Sequence, residues 1–132
     1  MPPNRTPWAS PPLSTSSGAA EACYRHGIAA LVAGSSHAGD LLDAALAADP
    51  DFLLARVAVA VLVALAGRPY VAPERTPDAF RAERQHAEIV AAAFTGDRRR
   101  AVDLRREHLV EFPADLLIVW LPLLQPRPSN AR

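Results

Sequence analysis

The sequence predicts an all-α fold, a stack of α-hairpins built from about six helices, and three observations carry that reading. Two junctions end alike: Ala44-Ala45-Leu46-Ala47-Ala48-Asp49-Pro50-Asp51-Phe52-Leu53-Leu54, and Glu107-His108-Leu109-Val110-Glu111-Phe112-Pro113-Ala114-Asp115-Leu116-Leu117. Each is an amphipathic stretch stopped by a proline and followed at once by an apolar helix start. A glycine turn lies about half a repeat upstream of each proline, at residues 34–39 and at Gly96-Asp97, with Ala38 and Ala101 twelve positions before the proline. Finally, half of the residues are apolar, and alanine supplies much of that share, so helices can approach closely while each contact buries little area. Helix, glycine turn, helix, proline is the punctuation of a helical-repeat array.

At 132 residues there is room for one domain. Residues 1–18 are rich in Pro, Ser and Thr and read as a disordered tail; they lack the basic start and apolar run of a secretory signal. The helical domain is expected over residues 19–121. Residues 122–132 read as a second disordered tail.

Residues 19–33 have high helix propensity and run into Gly34-Ser35-Ser36, a turn cluster. The next helix is expected over 37–48, with Leu41, Leu42, Ala45, Leu46 and Ala48 on one apolar face. Asp40 and Asp43 stand in its first turn, where the helix dipole favours carboxylates. Pro50 ends it, having no N–H to offer. Residues 52–66 are apolar almost all round, which predicts a helix sandwiched at the centre of the fold. The alternation of Val57, Val59, Val61 and Val63 admits a strand, but length and the interleaved alanines favour helix.

Residues 67–77 contain Pro69, Pro73 and Pro77 and read as a loop where a regular repeat would place a helix. A helix opening at Pro77 or Asp78 and running to Phe94 follows, with Ala79, Ala82, His86, Val90 and Ala93 as its apolar stripe. Arg81, Glu83, Arg84 and Glu88 are expected mostly in solvent, Arg84 and Glu88 as a pair one turn apart. Asp97 is placed to cap a helix to about Glu111 that buries Ala101, Leu104, His108 and Phe112. The last helix starts after Pro113 and stops at Pro122. It is the most apolar of the set, so Leu116, Leu117, Trp120 and Leu121 are expected to form an exposed interaction surface at an open C-terminal end.

Net charge is zero, which removes the general attraction that a nucleic-acid binder has for phosphate. All fourteen basic residues are arginine. The run Arg98-Arg99-Arg100 with Arg105-Arg106 is interleaved with Asp97, Asp103 and Glu107, so a solvated, salt-bridged face is expected and no nucleic-acid partner. The best membrane candidate, 52–67, is broken by Arg56 and leaves about eleven apolar residues where a span needs about twenty. The single Cys23 rules out an intrachain disulfide and fits a reducing cytoplasm.

The segment Glu83-Arg84-Gln85-His86-Ala87-Glu88, with Phe94-Thr95-Gly96-Asp97, Ala101, Leu109 and Glu111-Phe112-Pro113-Ala114-Asp115-Leu116-Leu117, resembles the tetratricopeptide repeat protein 38 family. The Ala45-Leu46-Ala47-Ala48-Asp49-Pro50-Asp51-Phe52 junction fits it as well. The resemblance covers residues 20–121 and is to the N-terminal part of longer family members, so the chain reads as a shortened relative. The Trp, Leu-Gly and Tyr of the repeat's first helix are missing here; only the small residue near Gly27 and the Ala and Pro of the second helix remain. The resemblance implies a tetratricopeptide-like scaffold that binds other proteins or itself, without catalytic residues.

No phosphate-binding glycine loop, nucleophile elbow or nucleophile with an identifiable base is present, so no enzyme activity and no cofactor are expected. Cys23 and His26 lie one turn apart, but a structural zinc site wants four ligands. His86 and His108 both fall on apolar stripes of helices that pair as a hairpin, at similar levels. They are expected as core histidines that bond a backbone carbonyl or as histidines that face the groove. The rival reading is a small helical bundle that binds a metal or cofactor through His86 and His108, for which one Glu-x-x-His motif, Glu83 to His86, is present.

Overall fold

The computed structural model describes residues 13–74 and 79–124. Among them are six α-helices and one 3-10 turn, and no strand: α1 (Gly18–Val32), α2 (Ala38–Ala48), α3 (Leu53–Leu65), α4 (Arg81–Phe94), α5 (Arg98–Glu111), α6 (Leu116–Trp120) and the turn Pro122–Leu124. The chain is all-α, and the strand alternative for the valine-rich segment is gone.

Local chemistry sets the boundaries. Ser17 caps α1 by accepting from the Ala20 N–H at 3.0 Å, and Asp97 caps α5 by accepting from the Arg100 N–H. Gly34, Gly67 and Gly96 close α1, α3 and α4 with φ of 75°, 94° and 92°, a region that side chains with a Cβ avoid. Of the helix pairings, α1 with α2 and α4 with α5 are the most extensive, the two hairpins the glycine turns announce. In the first hairpin Gly27 is what permits the approach: a Cβ there would stand 2.8 Å from Leu42 Cδ2.

The core is continuous from α1 to the C-terminal turn. Phe52, the residue before α3, is fully buried and packs on Tyr24 with ring centroids 5.2 Å apart. Leu54, Val57 and Val61 continue this face, and Ile89, Val90 and Ala101 extend it into the second hairpin. α3 is less enclosed than its composition predicts. Val63 and Leu65 are exposed, since the described part of the segment that follows forms no helix to cover them; its Tyr70 stacks on Phe94 at 5.0 Å.

The tails differ from expectation at their inner ends. Residues 13–17 are not a free tail: Ser14 donates through N and Oγ to Glu83 Oε2, and Thr15 Oγ1 donates to Asp49, so the segment crosses from α4 to the end of α2. Pro122–Leu124 is ordered as well, with Leu124 buried. Residues 1–12 and 125–132, expected as disordered, and 75–78, expected partly as loop and partly as helix, lie outside the described residues.

The C-terminal end is not open. α6 packs on α1, α4 and α5. Leu117, Ile118 and Leu121 are fully buried, so Leu117 and Leu121 are core and not the docking surface the sequence suggests. The physical reason is spacing: 117, 118, 121 and 124 recur at intervals of one, three and three through α6 and the turn after it, and the chain turns all four inward. Of the four expected surface residues, Leu116 is exposed and Trp120 half-buried. The arginine run of α5 holds this end down, Arg98 donating to the Leu123 carbonyl and Arg105 to those of Val119 and Leu124. Guanidinium groups at the carbonyl end of a helix also oppose its dipole favourably.

Candidate functional site

His86 on α4 and His108 on α5 face each other across the second hairpin, with ring centroids 6.4 Å apart. Between them comes Asp115, the residue immediately before α6. Pro113 breaks α5 and the chain reverses over Ala114, which brings the Asp115 carboxylate to the hairpin's inner face. His86 Nδ1 donates to Asp115 Oδ2 at 2.9 Å, and His108 Nε2 donates to the same oxygen at 2.7 Å. His108 Nδ1 lies 2.7 Å from the Gln85 side-chain oxygen, so both of its ring nitrogens face acceptors. His86 and His108 are fully buried, and Asp115 nearly so. Both histidines are thus core residues that bond side chains, where one expectation had them bond a backbone carbonyl.

Burial by itself pushes the Asp115 carboxyl up. The two imidazoles, His86 foremost, outweigh it and hold the group well below the usual carboxylate range. Such a pairing has a cost and a return: each group loses water, and each is compensated only while its partner stays in place. The Nε2 of His86 is buried with no hydrogen-bond partner, so this ring is fastened on one side only.

A second buried carboxylate stands one turn before His86. Glu83, expected in solvent, is fully buried because three donors meet it there: the Phe80 N–H at 2.9 Å on Oε1, and the N–H and hydroxyl of Ser14 on Oε2. The Tyr24 hydroxyl lies near both carboxylates. Burial first, then the Asp115 charge, push its ionisation well above the usual range, with Arg25 opposing them and Glu83 adding a smaller push. The expected Arg84–Glu88 pair does not form, since Glu88 takes Arg100 from α5 and Arg84 turns back to the Ala79 carbonyl.

A cavity of about 200 Å3 opens beside the centre, lined by Leu13, Tyr24, Arg25, Ile28, Leu54 and Asp115 among others. Asp115 therefore belongs both to the histidine pair and to the cavity wall. One ligand atom from each of His86, His108 and Asp115 lies within 4.8 Å of the others, the only such triple of His, Cys, Asp or Glu among the described residues. Cys23 and His26 bring no third ligand to their turn, and His26 is on the surface. Chemically, the arrangement can orient an imidazole, share protons between imidazoles and a carboxylate, or hold a cation.

The sequence brings the two histidines together correctly and misses Asp115, although a signal exists. Aligning the two junctions on their Leu-Leu pairs puts Asp115 at the position of Phe52, which is fully buried. A carboxylate in an apolar slot of a repeat demands a partner. The chain matches no family model, no curated protein and no solved structure, so its centre stands on its own geometry.

Proposed function

We propose that the protein is a non-catalytic helical interaction module whose partner is another protein chain, a second copy of itself in the first instance. The observation that supports this reading is the apolar surface left at the end of α3. Leu65 is 45% exposed and Val71 73%, with Val63 beside them in sequence, at the place where a regular hairpin repeat would supply a second helix. A helix from another chain laid there removes apolar surface from water at roughly 25 cal/mol per Å2. The resemblance to the tetratricopeptide repeat protein 38 family supports the same reading, through the two proline junctions and the two hairpins. No helix among the described residues is long and apolar enough to cross a membrane. With one unpaired cysteine in the chain, a reducing compartment such as the cytoplasm suits it.

The test is size exclusion with light scattering over a concentration series, on the native chain and on Leu65→Glu/Val71→Glu. Both sites are exposed, so the substitutions leave the fold intact. The native chain associates and the double variant is monomeric if the reading is right. A monomeric native chain, or association unchanged in the variant, overturns it.

A further inference from the structure

We propose that His86, His108 and Asp115 form a binding site for one first-row divalent transition-metal ion, Zn2+ being the reference case. Three features of the centre lead there. The ligand set is two imidazoles and a carboxylate, which suits such ions and neither Mg2+ nor Ca2+, whose sites are built from oxygen. The three groups come from α4, α5 and the start of α6, so the fold and not a flexible loop brings their ligand atoms within 4.8 Å of one another. The centre is also closed to bulk water, with His86 and His108 fully buried and Asp115 nearly so.

Charge points the same way. Asp115 and Glu83 are two buried carboxylates, three residues from His86 in the case of Glu83, and both lie close enough to Tyr24 to act on its hydroxyl. A single dication balances two such charges. Arg25 is the cation on the cavity side, and its Nε pairs with Glu21 at 3.1 Å near the surface.

The geometry asks the two nitrogens, now within 4.8 Å of each other, to draw in while each moves slightly off the carboxylate. Around a tetrahedral ion with bonds of roughly 2.0–2.1 Å, ligand atoms stand about 3.3 Å apart. The nitrogens now sit 2.9 and 2.7 Å from Asp115 Oδ2, so an ion entering between them spreads each contact by about half an ångström. It takes the place of the hydrogens that the imidazoles now direct at Oδ2: His108 Nε2 releases its proton to solvent and keeps Nδ1–H on Gln85, while His86 carries its one remaining proton on Nε2, so that both ligands are neutral imidazoles. Gln85 then keeps its place as the outer partner: its side-chain oxygen accepts from His108 Nδ1, which fixes the ring with Nε2 toward the ion. The cavity that Asp115 lines, with neither histidine in its wall, offers a route of entry on the carboxylate side.

The experiment uses the full chain stripped with a chelator and titrated with Zn2+, read by calorimetry, by thermal denaturation and by the histidine side-chain NMR signals. One equivalent is expected to bind and to raise the melting temperature. The imidazole resonances of His86 and His108 should shift and those of His26 and His37 stay. Co2+ in place of Zn2+ should give the visible bands of a four-coordinate N/O site. Asp115→Asn and His108→Gln should each lower the affinity at least tenfold, whereas Cys23→Ser/His26→Gln keeps it. Absence of stoichiometric Zn2+ binding by the native chain overturns the proposal, and so does binding that shifts His26 or is lost in the Cys23/His26 variant. Because the native chain alone decides the first point, variants that fail to fold leave the test intact.

Discussion

Asp115 and Gly27 are the two positions at which one atom more or less decides the packing. At Gly27, in the middle of α1, the helix gives up about 1 kcal/mol of propensity relative to alanine. What it gains is contact with Leu42, whose Cγ and Cδ2 would lie 2.9 and 2.8 Å from an added Cβ. Leu42 is fully buried and cannot move aside cheaply. Gly27→Ala is therefore expected to destabilise by about 1–3 kcal/mol in spite of the better helix former, as overpacking does. Urea denaturation measures it, and a stabilised variant would show that the two helices are looser than described. Asp115 works by charge instead. Removing it leaves two imidazoles facing each other with their shared acceptor gone, the costly half of a buried pair.

At the scale of elements, α6 shows how a short segment is fixed by what surrounds it. Five residues are too few for an independent helix. It holds because one stripe is in the core and Arg98 and Arg105 grip the backbone carbonyls at its end and in the turn after it. Neighbouring leucines should therefore behave in opposite ways. Leu117→Ala should cost about 2–5 kcal/mol, since Leu117 is fully buried. Leu116→Ala, 41% exposed, should stay within about 0.5 kcal/mol. Equal effects of the two in chemical denaturation would mean that the helix is turned differently about its axis.

The same elements show what is legible in the sequence. Helix positions, the Asp97 cap and the glycine turns follow from local rules, because each is decided within about one turn of chain. The facing of α6 was open to inspection too, in the spacing of Leu117, Leu121 and Leu124, but a short segment apolar on both faces also reads as an uncovered surface, the expectation the sequence raises for Leu117 and Leu121. Glu83 was not legible as a buried group. Its charge and neighbours read as solvated, and the donor that closes the site comes from Ser14, 69 positions away. Asp115 was half legible, as the one acidic residue in a slot that the first junction fills with Phe52.

Over the whole molecule, the two hairpins are not strung in an open row. α6 touches α1, α4 and α5, the segment before α1 is bonded to Glu83, and Asp115 lies where these parts meet. The central claim is that this buried pairing fastens the closed domain, and its pH dependence tests it. The Asp115 carboxyl is held below its ordinary value of 3.8 in the folded chain, so its contribution is fully present above about pH 4. As pH falls below that, the unfolded state takes up the proton first and the contribution is progressively lost. The decisive measurement is the unfolding free energy of the native chain and of Asp115→Asn by urea titration, between neutral pH and pH 2.5. The native chain should be more stable by about 3–5 kcal/mol at neutral pH, with the gap narrowing steadily below pH 4. A gap that is absent at neutral pH, or that persists unchanged into acid, would contradict the account.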